Sequence, residues 1–370
     1  MKKVQGLESI TEGVTDILVY KVKKTKKGPG AKNKLPFYNP SMELNRDFSV
    51  LVSQWLINNS EKHIRILDSL AASGLRGLRL ANELSGDFDV TINDWDKNAY
   101  DLIIKNIEKL KLKNITVLNC NLNSLFFEKK FNYIDIDPFG SPAYFIDSSM
   151  QNISHEGVIA CTATDTAALC GVYPNVCFRR YGALPYHSVV MKELGIRILL
   201  GFVCREAGKF DKGIKPILAY STDHYFRIYV QIINSVKASN DSMSFYNIIT
   251  PGEYIGYEKT KKFIGSLWTG KLNSKKILGE LRTILFEKQL KTKNSLWKLI
   301  DLLEEEADAP MFFYTADNLA SVLKKAQPKM KTIFNELRKK SYEVSKTHFN
   351  VKGFKTNAPI NEIEKMFKQN

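Results

Sequence analysis

The sequence predicts an α/β fold in which a doubly wound, mostly parallel sheet ends in an antiparallel hairpin and a smaller, helix-rich α+β domain follows. Three observations predict it. Short β-branched runs alternate with helix-like segments from about residue 60 to 235. Two strand-like runs at the end of that region are separated only by Asp223 and His224. Near residue 240 the composition shifts to Ser, Asn and Lys, and the remainder reads mainly as helix.

Taken in order, IRIL (Ile64 to Leu67) is a strand, followed by a Gly-containing turn and a helix to Leu84. DVTIN (Asp89 to Asn93) precedes a helix with apolar positions at Ala99, Ile103 and Ile107. ITVL (Ile115 to Leu118), YIDI (Tyr133 to Ile136) and GVIACTAT (Gly157 to Thr164) read as further buried parallel strands. A long helix is expected from Leu184 to Lys209, and then ILAYST and YFRIYVQII form the hairpin. A parallel sheet closed in this way is the usual class I, Rossmann-like methyltransferase arrangement. This places one domain at residues 1–238 and a second at 239–370. The second has amphipathic stretches near 275–290 and 294–306, a helix capped by Thr315 running to about Lys325, and a helix from Pro328 to Lys340. Two strands around Gly353 complete a winged-helix pattern made basic by Lys329, Lys331, Arg338, Lys339 and Lys340. RNA binding and a purely structural helical role are both open for it.

Lys and Arg total 54 against 39 Asp and Glu, a formal charge of +15 that favours a polyanionic partner, chiefly nucleic acid, the alternative being the lysine-rich proteome of a thermophile or low-GC organism. Seven lysines fall between Lys21 and Lys34, in a run that suits phosphate contacts or simple solvation. The longest apolar stretch, around Ile198 to Cys204, is far too short for a membrane span, and Met1-Lys2-Lys3 leads into polar sequence, so a cytoplasmic protein is expected. Cys120, Cys161, Cys170, Cys177 and Cys204 form no C-x-x-C pair, which disfavours a zinc site or a disulfide framework, and their mostly apolar context makes them expected core or near-core residues.

The chemistry-bearing residues fall at strand tips. Asp68-Ser-Leu-Ala-Ala-Ser-Gly74-Leu-Arg76-Gly77 follows the first strand, where glycine allows close backbone approach and a helix N-terminus offers free N–H groups. The full G-x-G-x-x-G fingerprint is absent, which disfavours NAD. Asp94 closes the second strand, where a carboxylate can accept from ribose hydroxyls, although Asp94 or Asp96 can equally cap the next helix. Asn121 follows the third strand and can accept from an adenine amino group. Asp137-Pro138-Phe139-Gly140 follows the fourth. An exocyclic amine has its lone pair delocalised into the ring and must become more tetrahedral to attack a methyl carbon. A carboxylate and an adjoining carbonyl accept its N–H groups and stabilise the positive charge that develops, while an aromatic stacks on the base. The alternative is an ordinary Asp-Pro turn.

PFYNPSMELNRDFSV (Pro36 to Val50), DSLAASGLRGLR (Asp68 to Arg79), NDWDKNAYDLIIKN (Asn93 to Asn106) and DIDPFGSP (Asp135 to Pro142) resemble the tRNA (guanine-26-N2)-dimethyltransferase family. TATDTAALCGVYPNVCFRRY (Thr162 to Tyr181), KPILAYSTDHYFRIYV (Lys215 to Val230) and THFNVKGFKTNAP (Thr347 to Pro359) are similar as well. The resemblance implies a site for S-adenosyl-L-methionine at Arg46, Asp68, Arg76, Asp94 and Asn121 with a Leu122 backbone contact, to which the glycine turn adds Gly74. It implies a guanine pocket of Phe37, Asp137 and Phe139, with Pro138 supplying a carbonyl, and tRNA as partner. Asn121 stands where the family usually has an acid. The cysteine-rich metal segment of eukaryotic members is missing, so the chain resembles the archaeal type and no metal is expected; the sequence leaves the oligomeric state open, with a monomer slightly favoured. Amino-group methylation of ribosomal RNA or DNA, and a non-catalytic RNA-binding protein, are the competing readings. His187, His224 and His348 are expected in packing or backbone bonds, and Asp165 either steadies the fifth-strand loop or caps a helix.

Overall fold

The computed structural model describes residues 6–21, 35–125, 129–222, 224–254 and 262–368. The lysine run from 22 to 34 lies outside the described residues. A hairpin of β1 (Leu7–Glu12) and β2 (Thr15–Tyr20) opens the chain, and α1 (Glu43–Asn58) follows. Next come β3 (Ile64–Asp68), α2 (Leu75–Glu83), β4 (Phe88–Asn93), α3 (Lys97–Leu110), β5 (Ile115–Leu118), α4 (Leu122–Leu125), β6 (Phe131–Ile136), α5 (Ala143–Asn152) and β7 (Ile153–Ala163). Helices α6 (Thr166–Leu169), α7 (Pro174–Tyr181) and α8 (Met191–Gly208) lead to β8 (Lys212–Ser221) and β9 (Phe226–Asn234).

These strands form one seven-stranded sheet in the order β5-β4-β3-β6-β7-β9-β8. The first five pair in parallel, and β9 runs antiparallel to both β7 and β8. Strand order reverses between β3 and β6, the place where an open α/β sheet leaves a crevice beyond its carboxyl ends. Period-two alternation sends successive residues to two apolar cores. Ile64, Ile66, Tyr133, Val158 and Tyr229 pack on the face covered by α1 and α2, whereas Leu67, Ile134, Ile159 and Ile228 pack on the face covered by α5 and α8.

The expected helix from Leu184 starts only at Met191. Pro185 holds Leu184 away from helical geometry, and Leu184 instead bridges Gly265, whose N–H donates to its carbonyl at 2.9 Å. The remaining elements are α9 (Val236–Met243), β10 (Tyr246–Ile249), β11 (Ile264–Trp268), α10 (Lys275–Glu287), α11 (Lys293–Glu306), β12 (Tyr314–Thr315), α12 (Ala316–Leu323), α13 (Met330–Lys339), β13 (Val344–Lys346), β14 (Gly353–Thr356) and α14 (Ile360–Lys368). Thr315 takes the N-cap position of α12 but makes no side-chain cap bond. Helix α13 begins two residues after Pro328, with extended Lys329 as its N-cap. The C-terminal part adds to both cores: Leu278, Leu281, Leu296 and Ile300 to one, Phe313, Phe334 and Phe354 to the other. Trp55 Nε1 also donates to Glu280 Oε2 at 2.5 Å.

Candidate active site

A cleft of about 1120 Å³ opens beyond the carboxyl ends of β3, β4, β5 and β6. Phe37, Arg46, Asp68, Arg76, Asp94, Asn121, Leu122, Asp137, Pro138 and Phe139 all line it. Gly74 does not line it. It takes φ 75 as the N-cap of α2, and an added Cβ would lie 2.5 Å from Ile103 Cγ1, so glycine serves the turn and the packing of α3. The residues that line the cleft with positive φ include Ala72, at φ 49, and Gly140, at φ 95.

Ala72 is held there by Asp94, whose Oδ2 accepts from its N–H at 2.7 Å while Oδ1 accepts from Asp96 N–H at 2.9 Å. Asp96 is the cap of α3, its carboxylate accepting from Asn98 N–H at 2.8 Å. Asp94 is therefore free of helix capping and fixed as a nearly buried acceptor at the rim of β4, where burial pushes its pKa up. Asn121 Oδ1 accepts from Asn123 N–H at 2.9 Å, so one lone pair of the amide oxygen supports α4. Arg46 is clamped by Glu12 through bonds of 2.7 and 2.6 Å. Burial works against that carboxylate, but the Arg46 guanidinium outweighs it and holds its pKa low.

Asp68 ends β3, is almost fully buried, and accepts from Gly77 N–H at 2.8 Å. Burial, opposed by the charge of Arg76, pushes its pKa up to about 7. Beneath the cleft, Asp135 accepts from Arg227 at 3.0 and 2.5 Å, from the Tyr133 hydroxyl at 2.9 Å and from Ser49 Oγ at 3.2 Å. Burial alone would raise the Asp135 pKa, yet the charges of Arg227 and Arg76 bring it below the usual range. Arg76 connects this layer to the surface, because its guanidinium also donates to Asp137.

The segment after β6 is anchored from behind. Gly140 N–H donates to Thr164 Oγ1 at 2.7 Å, Thr164 N–H donates to Gly140 O at 3.0 Å, and Ser141 Oγ donates to the Tyr181 hydroxyl at 2.7 Å. The Tyr181 hydroxyl in turn donates to Asp165, which also pairs with Arg180 at 2.9 Å. Asp165 sits at the N-cap of α6 but makes no side-chain cap bond, so its carboxylate steadies the loop. Phe139 is 54% exposed, and its ring lies 5.7 Å from that of Phe37. That is direct aromatic contact, and a base entering between the rings must part them.

A family model described as N2,N2-dimethylguanosine tRNA methyltransferase matches residues 16–368. This chain belongs to that family. Among similar proteins, the tRNA (guanine(26)-N(2))-dimethyltransferase of Methanobrevibacter smithii is 35% identical, over 90% of this chain and 91% of the relative. That of Pyrococcus abyssi is 36% identical, over 95% and 96%. A structure of Trm1 from Pyrococcus horikoshii with S-adenosyl-L-methionine superposes with a TM-score of 0.86 at 32% identity, covering 97% of this chain and 99% of that one. The class I methyltransferase fold with a C-terminal domain is thus the fold of this family member.

Within this dimethylguanosine methyltransferase scaffold, sequence reading missed several residues. Glu12, Asn45, Ser49, Asp135 and Arg227 hold the named side chains in place. One signal was available: Asp135 and Arg227 are the only charged residues of β6 and β9, and a buried strand keeps a charge only when it is paired. Trp95, 71% exposed, and Tyr144, 65% exposed, also line the cleft and were not singled out. His187 Nδ1 bonds Cys170 O at 3.1 Å, a backbone contact; His348 Nε2 accepts from Ser221 N–H at 3.2 Å, but its Nδ1 also pairs with the buried Glu306 carboxylate, a side-chain contact that the sequence reading did not expect. His224 lines the cleft. All five cysteines are free thiols, four of them buried. Among the described residues no helix is long and apolar enough to cross a membrane.

Proposed function

We propose that this chain transfers methyl groups from S-adenosyl-L-methionine to the exocyclic N2 of guanine 26 in tRNA, giving N2-methyl- and then N2,N2-dimethylguanosine. The observation that carries this reading is the carboxylate of Asp137 at the cleft: Arg76 holds one of its oxygens, and Phe139 and Phe37 stand beside it. The cleft's other residues fit the methyl donor. Asp94 is an anchored acceptor suited to ribose hydroxyls, Asn121 and the Leu122 backbone suit adenine, and Asp68 and Arg46 suit the amino-acid end. When bound there, the donor supplies a sulfonium-activated methyl carbon.

The protein's part is orientation. A guanine drawn out of its stack parts Phe37 and Phe139 and is gripped by them. Asp137 and the Pro138 carbonyl accept the two N2 hydrogens, which turns the nitrogen lone pair toward the methyl and stabilises the developing positive charge. Holding two reactants in line is worth up to about 7–11 kcal/mol. The alkylated amine is acidic, so its proton leaves without a strong base. For the second methyl, rotation about the C–N bond presents the remaining hydrogen.

The segment 239–370 acts in this reading as a tRNA-binding module of winged-helix type. The exposed Lys329, Lys331, Arg338, Lys339 and Lys340 on and around α13, together with the net charge, support it. A tRNA acceptor also supports a cytoplasmic location. The test is incubation with unmodified tRNA transcript and labelled S-adenosylmethionine, then nucleoside mass spectrometry, with ribosomal RNA and duplex DNA in parallel. Dimethylguanosine at position 26 is expected. Methylation confined to ribosomal RNA or DNA, or donor binding with no transfer at all, would refute it.

A further inference from the structure

The two short helices after β7 carry a surface that methyl transfer itself does not use. From residue 166 to residue 192 the chain holds no carboxylate, yet it holds Arg179, Arg180 and Lys192. Asp165, just before this stretch, is already paired with Arg180 at 2.9 Å. Helix α7 buries Cys177 and Tyr181, one turn apart, in the core. Asn175, Phe178 and Arg179, spaced three and four residues apart, share its exposed face. Phe178 is 56% exposed, and Tyr173, just before the helix, is 59% exposed. The backbone holds this arrangement firmly. Gly171 takes φ 84, with an added Cβ 2.7 Å from His187 N, and Val172 N–H donates to Ala167 O at 2.9 Å. The face also adjoins the proposed guanine pocket. Arg180 lies beside the Tyr144 hydroxyl, Tyr144 lines the cleft, and Tyr181 accepts from Ser141, two residues after Phe139.

We propose that the outer face of α7 is an RNA-contact surface beside the cleft, on which Phe178 stacks against a base flanking the target guanine and Arg179 neutralises a backbone phosphate. The inference deepens the methyl-transfer reading above and rests on it. A base drawn out of its stack leaves its neighbours open on one side, and an exposed aromatic at the rim of the cleft replaces the stacking they lose. An arginine next to that aromatic, in a stretch without carboxylates, complements the phosphate backbone that accompanies the base. The charges favour RNA over a second copy of this chain, which brings its own formal +15 to the same face.

The test is equilibrium binding of unmodified tRNA transcript by filter retention between about 0.05 and 0.2 M salt, with S-adenosylmethionine affinity by calorimetry and sedimentation of the native chain in parallel. Phe178→Ala is expected to weaken tRNA binding about fivefold or more with the salt slope unchanged. Arg179→Gln is expected to weaken it too, and to lower the slope of log K against log salt by about 0.7–0.9, the share of one phosphate contact. Asn175→Glu guards against loss of fold, because an acid in the first turn of α7 suits the helix dipole. It should nonetheless weaken tRNA binding about threefold or more at low salt, with the loss fading as salt rises. Donor Kd should stay within about twofold of native in all three, since none of these residues lines the cleft. Three outcomes would each overturn the proposal and leave the functional reading standing. These are tRNA affinities within about twofold of native in all three variants, a loss in Arg179→Gln that does not shrink with added salt, or a native dimer that Phe178→Ala dissociates. Absence of methylated tRNA with the native chain would overturn the functional reading and this inference with it.

Discussion

Replacing Arg227 by Met removes the charge at the centre of the buried network while keeping an apolar stem of similar reach. Arg227 and Asp135 are both fully buried, and two bonds of 3.0 and 2.5 Å join them. Breaking such a pair by deleting one partner costs about 3–5 kcal/mol, because the surviving charge stays buried. Arg76 Nε remains 3.4 Å from Asp135, and the Tyr133 and Ser49 hydroxyls still donate to it, so a loss near the lower figure, about 3 kcal/mol, is expected. For a chain of this length that is a fall in thermal midpoint of roughly 4 °C. The pH dependence follows from the same groups. In the native protein the Asp135 pKa is depressed, so its stabilisation is present above the unfolded carboxyl value and is lost as pH falls through the folded one. Without Arg227, burial dominates and the sign reverses, so the penalty grows as pH rises. Native and variant should differ most near pH 7.5 and converge toward pH 5. The assay is thermal and urea unfolding by circular dichroism at both values, with Asp135→Asn/Arg227→Met alongside. A loss under about 1 kcal/mol at pH 7.5, a larger gap at pH 5, or a double variant no more stable than the single one would refute the reasoning.

Phe139→Ala should weaken capture of the target base by about 1–3 kcal/mol, read as a rise in KM for tRNA with donor affinity unchanged in calorimetry. Asp94→Ala should weaken S-adenosylmethionine binding at least about tenfold, since it removes both the proposed ribose acceptor and the bond that holds Ala72 at φ 49; equilibrium binding of the donor measures this. Gly74→Ala meets both a left-handed backbone and Ile103, and should lower stability by about 1–3 kcal/mol in urea unfolding. Asp68 has a folded pKa raised to about 7, so its contribution to stability is fully present below the unfolded value and lost as pH rises through about 7. Asp68→Asn should flatten that decline, and its thermal midpoint should overtake the native one above pH 7.

Much of the fold was legible because it is written in local patterns. The runs IRIL, ITVL and YIDI are too short and β-branched to be helices, and each falls in a strand of the sheet. The hairpin was legible from two strand-like runs too close together for a crossover helix, and β8 and β9 do pair antiparallel. Helix starts were less legible. Leu184, Val189 and Val190 look continuous with α8, yet Pro185 and a bridge from Leu184 to Gly265, far along the chain, keep that segment out of the helix.

At the site, the residues that touch the cleft could be named because a strand tip in a parallel sheet has a fixed place in sequence: just after the last apolar residue of the run. The sequence by itself determined that Asp68, Asp94, Asn121 and Asp137 stand at one end of the sheet, since parallel strands joined by helices put all their carboxyl ends on the same side. Which buried charge meets which partner was settled by packing between elements. Glu12 reaches Arg46, Arg227 reaches Asp135 across β7, and Arg76 reaches Asp137, contacts made between residues 34, 92 and 61 positions apart. Pairing of buried charges depends on distances between strands and helices in space, and no local periodicity encodes those distances.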